Sequence, residues 1–147
     1  MKTFIVSVGI LVATLAPAAE KETSANLASQ ATGTWSCVAA TINGKPLSET
    51  AVKKLHLTMT ATRYKTERND EVLFDSTYRL DTTQSPAHIN MVGTEGELTG
   101  KEAQGIIAMA GDTLKICYTM PGKPRPSAFA SATNSEAYLL LWKREKK

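Results

Sequence analysis

Histidine and cysteine are nearly absent from this chain, whose 147 residues include two of each. His56 and His88 fall in different strand-like runs, and neither has a carboxylate or a cysteine at metal-ligand spacing, so both read as surface or structural side chains. Cys37 and Cys117 do not form a Cys-x-x-Cys pair, which argues against a zinc site and against thioredoxin-type chemistry. An excess of one charge is lacking too: the formal net charge is +3 and implies no nucleic-acid partner. The one basic cluster, Lys143-Arg144-Glu145-Lys146-Lys147, has a single adjacent aromatic, Trp142, and reads as a solvated tail behind a final strand rather than a polyanion site. Gly96 to Glu102 fails as a phosphate loop, because Glu95 stands where the first glycine is required and Glu102 replaces the hydroxyl residue. Asp75, Asp81, Glu95 and Glu97 are scattered, and nothing brings two of them into one pocket as acid and base. No metal, cofactor or catalytic residue is nominated, and the chain is expected not to be an enzyme.

Long apolar runs are confined to the start of the chain. Lys2 supplies a positive first region, Phe4 to Leu15 is apolar, and Ala16-Pro17-Ala18 puts small residues at the two positions a signal peptidase reads. Residues 1–18 therefore read as a signal peptide cleaved after Ala18, with no cysteine there to carry a lipid. The run is short for a bilayer and no second run of about 20 apolar residues follows, so the processed protein is expected to be periplasmic or extracellular and not inserted in a membrane. An N-terminal anchor or a buried strand is the alternative. Residues 19–32 are polar apart from Leu27 and read as a flexible linker. Residues 33–147 have the length of one domain with one core.

Within that domain the apolar residues recur with period two. The opening run, Gly33 to Ile42, carries Trp35, Cys37, Ala39 and Thr41 on one face and Ser36, Val38, Ala40 and Ile42 on the other, and Asn43-Gly44 ends it with a turn. Ser48 is a candidate N-cap, with Leu47 and Val52 spaced as a hydrophobic staple, so a short helix is expected within Lys45 to Lys54. Strand alternation follows at Leu55 to Met59, at Val72 to Leu80 and at His88 to Val92, then at Gln104 to Ala110 and Thr113 to Met120 around a Gly111-Asp112 turn. Pro121 to Pro126 holds three prolines and reads as a stiff connector, and Ala137 to Arg144 is a last strand apolar on both faces. The expected fold is all-β: about eight antiparallel strands in a meander, closed into a small barrel by pairing of the first and last strands, with one short helix after the first strand. A β-sandwich is the alternative.

Gly33-Thr34-Trp35 on the first strand, Lys143 or Arg144 on the last, and a helix after the first strand resemble the calycin pattern of lipocalins and fatty-acid-binding proteins. More closely, the chain resembles the lipocalin-like domains of planctomycete exported proteins. The matching stretches are Gly33 to Trp35, Asn43 to Pro46, Lys53 to Thr58, Gly105-Ile106, Gly111 to Tyr118, Pro121 to Pro126 and Leu140 to Arg144. The resemblance implies a lipocalin-like barrel in an exported protein, with Trp35 as a structural plug at one end and Lys143 or Arg144 lying across it; it assigns no catalytic residue.

Two function classes follow. In one, the barrel holds a small apolar or amphipathic ligand, with Tyr78, Met109, Tyr118, Phe74 and Met59 as candidate lining, in a space left above the plug by Cys37, Ala39 and Thr41. In the other, the barrel is filled and the domain docks a protein or a cell-envelope component. Lys123 and Arg125 in the proline-rich connector are candidates for an anion contact, against the plainer reading of a solvated loop. In the meander the last strand lies between the strands of Cys37 and Cys117, about two strand spacings apart and beyond disulfide reach, so two free thiols are expected.

Overall fold

The structure, a computed structural model, describes residues 23–146. The expected signal peptide, its cleavage point and the first part of the expected linker lie outside the described residues. Helix α1 (Ser24–Ala31) leads into β1 (Gly33–Ile42), β2 (Lys45–Pro46) and the one-turn helix α2 (Glu49–Val52). Then come β3 (Leu55–Met59), β4 (Arg63–Arg68), β5 (Glu71–Asp81), β6 (Ala87–Gly93), a 3₁₀ turn (Gly96–Leu98), β7 (Glu102–Ala110), β8 (Thr113–Thr119) and β9 (Ala137–Arg144).

The strands follow one another as antiparallel neighbours in the order β2-β1-β3-β4-β5-β6-β7-β8-β9, and β9 pairs back onto β1. Eight strands therefore close into a barrel, with the two-residue β2 as an appendage on β1. The unbroken ring of pairing is the expected meander and excludes the sandwich. Local chemistry sets the turns: Asn43 and Gly44 both have left-handed backbone (φ 52 and 81), as a tight hairpin requires, and Gly111 has φ 59. α2 is the expected short helix, capped by the Ser48 hydroxyl, which accepts from the Ala51 N–H at 3.1 Å.

β1 departs from strict alternation. Its register against β9 slips between Cys37 and Ala39, a bulge at Val38 that leaves this valine 49% exposed. The inward set is therefore Trp35, Cys37, Ala40 and Ile42, not Trp35, Cys37, Ala39 and Thr41; Ala39 and Thr41 line an outer groove with Phe129 and Leu139. β1 and β9 are apolar on both faces because both faces are covered. Inside, Tyr138, Leu140 and Trp142 of β9 face the core, while outside, Leu139 and Ala137 join Ile106, Cys117 and Phe129 in a second small cluster. Phe129 belongs to the connector after β8, which crosses the outer wall, and Lys115 lies 5.2 Å from its ring centroid.

The segment expected as a flexible linker contains α1. Thr23 caps it by accepting from the Asn26 N–H at 3.1 Å, and the helix buries Leu27 and Ala31 in the main core. One large apolar residue suffices because Leu27 and Ala31 fall on the same face, one turn apart, against the end of the barrel. The basic end is not a free tail either: the Glu145 N–H donates to Thr34 O at 2.9 Å, carrying the chain past the last strand along β1.

Candidate functional site

The two ends of the barrel are built differently. At the end where β1 begins, Trp35 is fully buried and its Nε1 donates to Ala31 O at 2.9 Å. The Arg144 guanidinium lies 4.3 Å from the Trp35 ring centroid and donates to Thr32 O at 3.0 Å and to Gln30 O. A helix leaves its last carbonyls without intrahelical donors, and here Trp35 and Arg144 supply them, so α1, the plug and the last strand form one lid. Of the two basic residues expected across the plug, Arg144 occupies that position, while Lys143 points outward and is exposed. Above the lid the interior is filled by Leu57, Met59, Ile89, Met91, Ile107 and Leu114, each no more than 1% exposed.

The opposite end is open. A cavity of about 380 Å³ is lined there by Ile42, Leu55, Leu140 and Trp142 toward the barrel wall and floor, by Ala51 of α2 and Leu47 just before its cap, by Leu98 of the 3₁₀ turn, and by Thr66, Arg68, Leu73, Phe74, Tyr118, Met120 and Tyr138. We refer to it as the cup. Phe74, Tyr118 and Tyr138 of one wall belong to a run of aromatic rings that Tyr64 continues behind the lining: Tyr64 meets Phe74 edge-on at 6.3 Å, Phe74 stacks on Tyr118 at 6.2 Å, and Tyr118 stacks on Tyr138 at 5.0 Å with an interplanar angle of 1°. Burial pushes the Tyr118 hydroxyl far above its usual range, so it stays protonated. Arg68, among the described residues the one charged side chain lining the cup, sits at the rim and pairs with Glu71 at 3.2 Å.

Phe74 and Tyr118 are the expected lining residues that line the cup. Tyr78, Met59 and Met109 do not: Tyr78 donates to Thr60 O at 2.6 Å, Met59 is 1% exposed in the filled half, and Met109 packs near Leu27 by the lid. Period two assigns each side chain to a face of its strand but not to a height in the barrel, which depends on register around the ring. Tyr138, Trp142, Leu47 and Ala51 also line the cup; in the sequence Leu47 and Ala51 read only as part of a short helical stretch, with nothing to say that it borders a cavity.

Lys123 and Arg125 do not form the candidate anion site. Arg125 donates to Ile89 O at 3.1 Å, to Gly105 O at 2.7 Å and to Asn90 Oδ1 at 2.6 Å, which staples the connector onto β6 and β7. Lys123 lies 3.8 Å from the Glu136 carboxylate. Both cations serve the connector itself.

Cys37 and Cys117 are free. Cys37 faces the interior opposite Trp142, whereas Cys117 pairs with Leu139 and faces the outer cluster, so the sheet itself separates them. Burial pushes the Cys37 thiol up to about 11 and raises Cys117 as well, leaving little of the reactive thiolate at neutral pH. Intact mass of the unreduced protein should equal the dithiol value, and iodoacetamide should label both thiols only after unfolding. A mass lower by two hydrogens would contradict this arrangement.

On the outer surface Glu145 accepts from Ser36 Oγ at 2.8 Å and contacts His56 Nδ1 at 2.6 Å. The serine bonds the carboxylate rather than the imidazole, so this is a clasp on the chain end and not a nucleophile–base pair. The Ser36 hydrogen bond, and after it His56, hold the Glu145 carboxyl below its usual range. A depressed carboxyl stabilises the fold above its unfolded value of about 4.3, and that stabilisation disappears as pH falls through the lower folded value. Between about pH 5 and pH 3 the wild type should therefore lose more thermal stability than Glu145→Gln. Parallel losses would mean that the clasp contributes nothing.

Comparison of the chain with protein-family models, with curated proteins and with solved structures finds no match.

Proposed function

We propose that this protein is an exported, lipocalin-like binding protein that holds one small apolar or amphipathic molecule in the cup, without catalysing a reaction on it and without nucleic acid or membrane insertion. The observation that carries this reading is the asymmetry of the barrel: one end is sealed by Trp35, Arg144 and α1, while the other keeps about 380 Å³ lined by aromatic and aliphatic side chains. A volume of that size lies within the usual range for small-ligand sites, and methionine and leucine at the mouth repack readily around different shapes. Export rests on the leader over residues 1–18, and the lipocalin-like assignment rests on the motif resemblance together with the closed eight-stranded barrel.

Titration with N-phenyl-1-naphthylamine, and separately with fatty acids, while following tryptophan emission tests the reading. Binding with a dissociation constant below about 100 μM, roughly 5.5 kcal/mol, is expected. A second reading, docking of a protein or envelope component, is favoured by Val72 and Leu73, which are 41% and 43% exposed on the strand that borders the mouth. Absence of any binding below that concentration would leave docking as the function.

A further inference from the structure

Two buried hydrogen-bond donors have nothing to bond, one on a residue that lines the cup and one on the inward residue just below the lining. Tyr64 Oη and Trp142 Nε1 find no partner among the described residues, although their side chains are 0% and 1% exposed. A buried donor without an acceptor costs about 1–3 kcal/mol, and elsewhere in this barrel such groups are satisfied. Trp35 Nε1 reaches Ala31 O at 2.9 Å and Tyr78 Oη reaches Thr60 O at 2.6 Å.

The register puts both unsatisfied groups at the same end of the cup. On β9 the inward side chains descend from the rim as Tyr138, Leu140 and Trp142, all three lining the cavity, so Trp142 is its deepest contributor from that strand. On β4, Arg68 and Thr66 line the cavity, and Tyr64 is the next inward side chain below them. Tyr64 supports Phe74 edge-on, and burial raises its hydroxyl well above the usual tyrosine range, so it remains a donor.

We propose that the cup accepts a flat apolar molecule bearing one uncharged hydrogen-bond acceptor, such as a ketone oxygen, and takes it acceptor-first, so that Trp142 Nε1 and Tyr64 Oη donate to that oxygen. This rests on the reading of the cup as a ligand site. The indole N–H can only donate, so its partner must accept. The acceptor is uncharged because Arg68, at the rim and paired with Glu71, is among the described residues the only charged side chain lining the cup. A carboxylate at the floor would be buried without a cation, which costs more than the two hydrogen bonds return. A flat ring suits the cup because stacked rings, such as Tyr118 and Tyr138 at 1° from parallel, offer edges against which the face of another ring packs.

Tetralin and 1-tetralone share one bicyclic frame and differ by a methylene against a carbonyl. In competition with N-phenyl-1-naphthylamine, 1-tetralone should bind the wild type about tenfold more tightly than tetralin, and its carbonyl stretching band should move to lower frequency when bound. Trp142→Phe and Tyr64→Phe should each bring the ratio of 1-tetralone to tetralin affinity toward one, whatever change the two compounds share; dye binding by the variant shows that the cup is intact, and a ratio that stays at about tenfold in both variants would overturn the inference. Equal affinity of the wild type for the two compounds would overturn the acceptor-first inference while the cup remains a ligand site. Failure of the dye itself to bind would remove the ligand-site reading, and the inference with it.

Discussion

Trp35→Ala is expected to destabilise the protein by on the order of 3 to 5 kcal/mol, the largest stability change we expect from a single substitution in this chain. The indole is fully buried, and its removal would leave a void that the surrounding β-strands cannot close without breaking their pairing. It would also unbond Ala31 O and deprive the Arg144 guanidinium of the ring it covers. α1 should loosen in the same step, since Leu27 and Ala31 pack into the core that Trp35 completes. Urea unfolding followed by Trp142 emission measures the loss. The two adjacent basic residues provide a control: Arg144→Ala should destabilise by removing the cover of Trp35 and the donors to Gln30 and Thr32, whereas Lys143→Ala, an exposed position, should be close to neutral. Near-unchanged stability of Trp35→Ala would refute the lid.

Ala51→Trp should abolish most apolar-ligand binding while leaving the fold intact. Ala51 lies on α2, is only half-buried, and lines the mouth of the cup, so an indole there can enter the cavity without displacing a packed neighbour. The expected loss of N-phenyl-1-naphthylamine affinity is at least about tenfold, roughly 1.4 kcal/mol, with a melting temperature within a few degrees of wild type. Unchanged affinity would mean that the dye binds somewhere other than the cup, for example in the outer groove between Ala39 and Phe129.

Much of the barrel was legible because period-two patterning and turn chemistry are local. Asn43-Gly44 and Gly111 announced their hairpins, and the two-faced apolarity of Gly33 to Ile42 and Ala137 to Arg144 announced that these strands would pair. The bulge at Val38 was not legible. Nothing in Ser36-Cys37-Val38-Ala39-Ala40 marks an extra residue, yet it turned Ala39 and Thr41 outward and brought Ala40 and Ile42 inward. α1 carried a readable signal, the Thr23 cap followed by Leu27 and Ala31 on one face, which the polar composition around it masked. The site was less legible than the fold, because a candidate such as Met109 faces inward in the filled half while Tyr138 faces inward in the cup. That difference is one of height, which only the closed ring of strands establishes. The commitment of Arg125 to three acceptors on β6 and β7 was likewise invisible, since it depends on where the connector crosses the wall.

The protein has two tryptophans, Trp35 in the lid and Trp142 on the lining of the cup. Labelling both with 5-fluorotryptophan and titrating with N-phenyl-1-naphthylamine, with ¹⁹F resonances assigned through Trp142→Phe, tests the cup as the binding site most directly. The Trp142 resonance, on the cup's lining, should shift with saturation by more than the Trp35 resonance. Dye binding that leaves Trp142 unmoved, or that shifts Trp35 instead, would contradict the account.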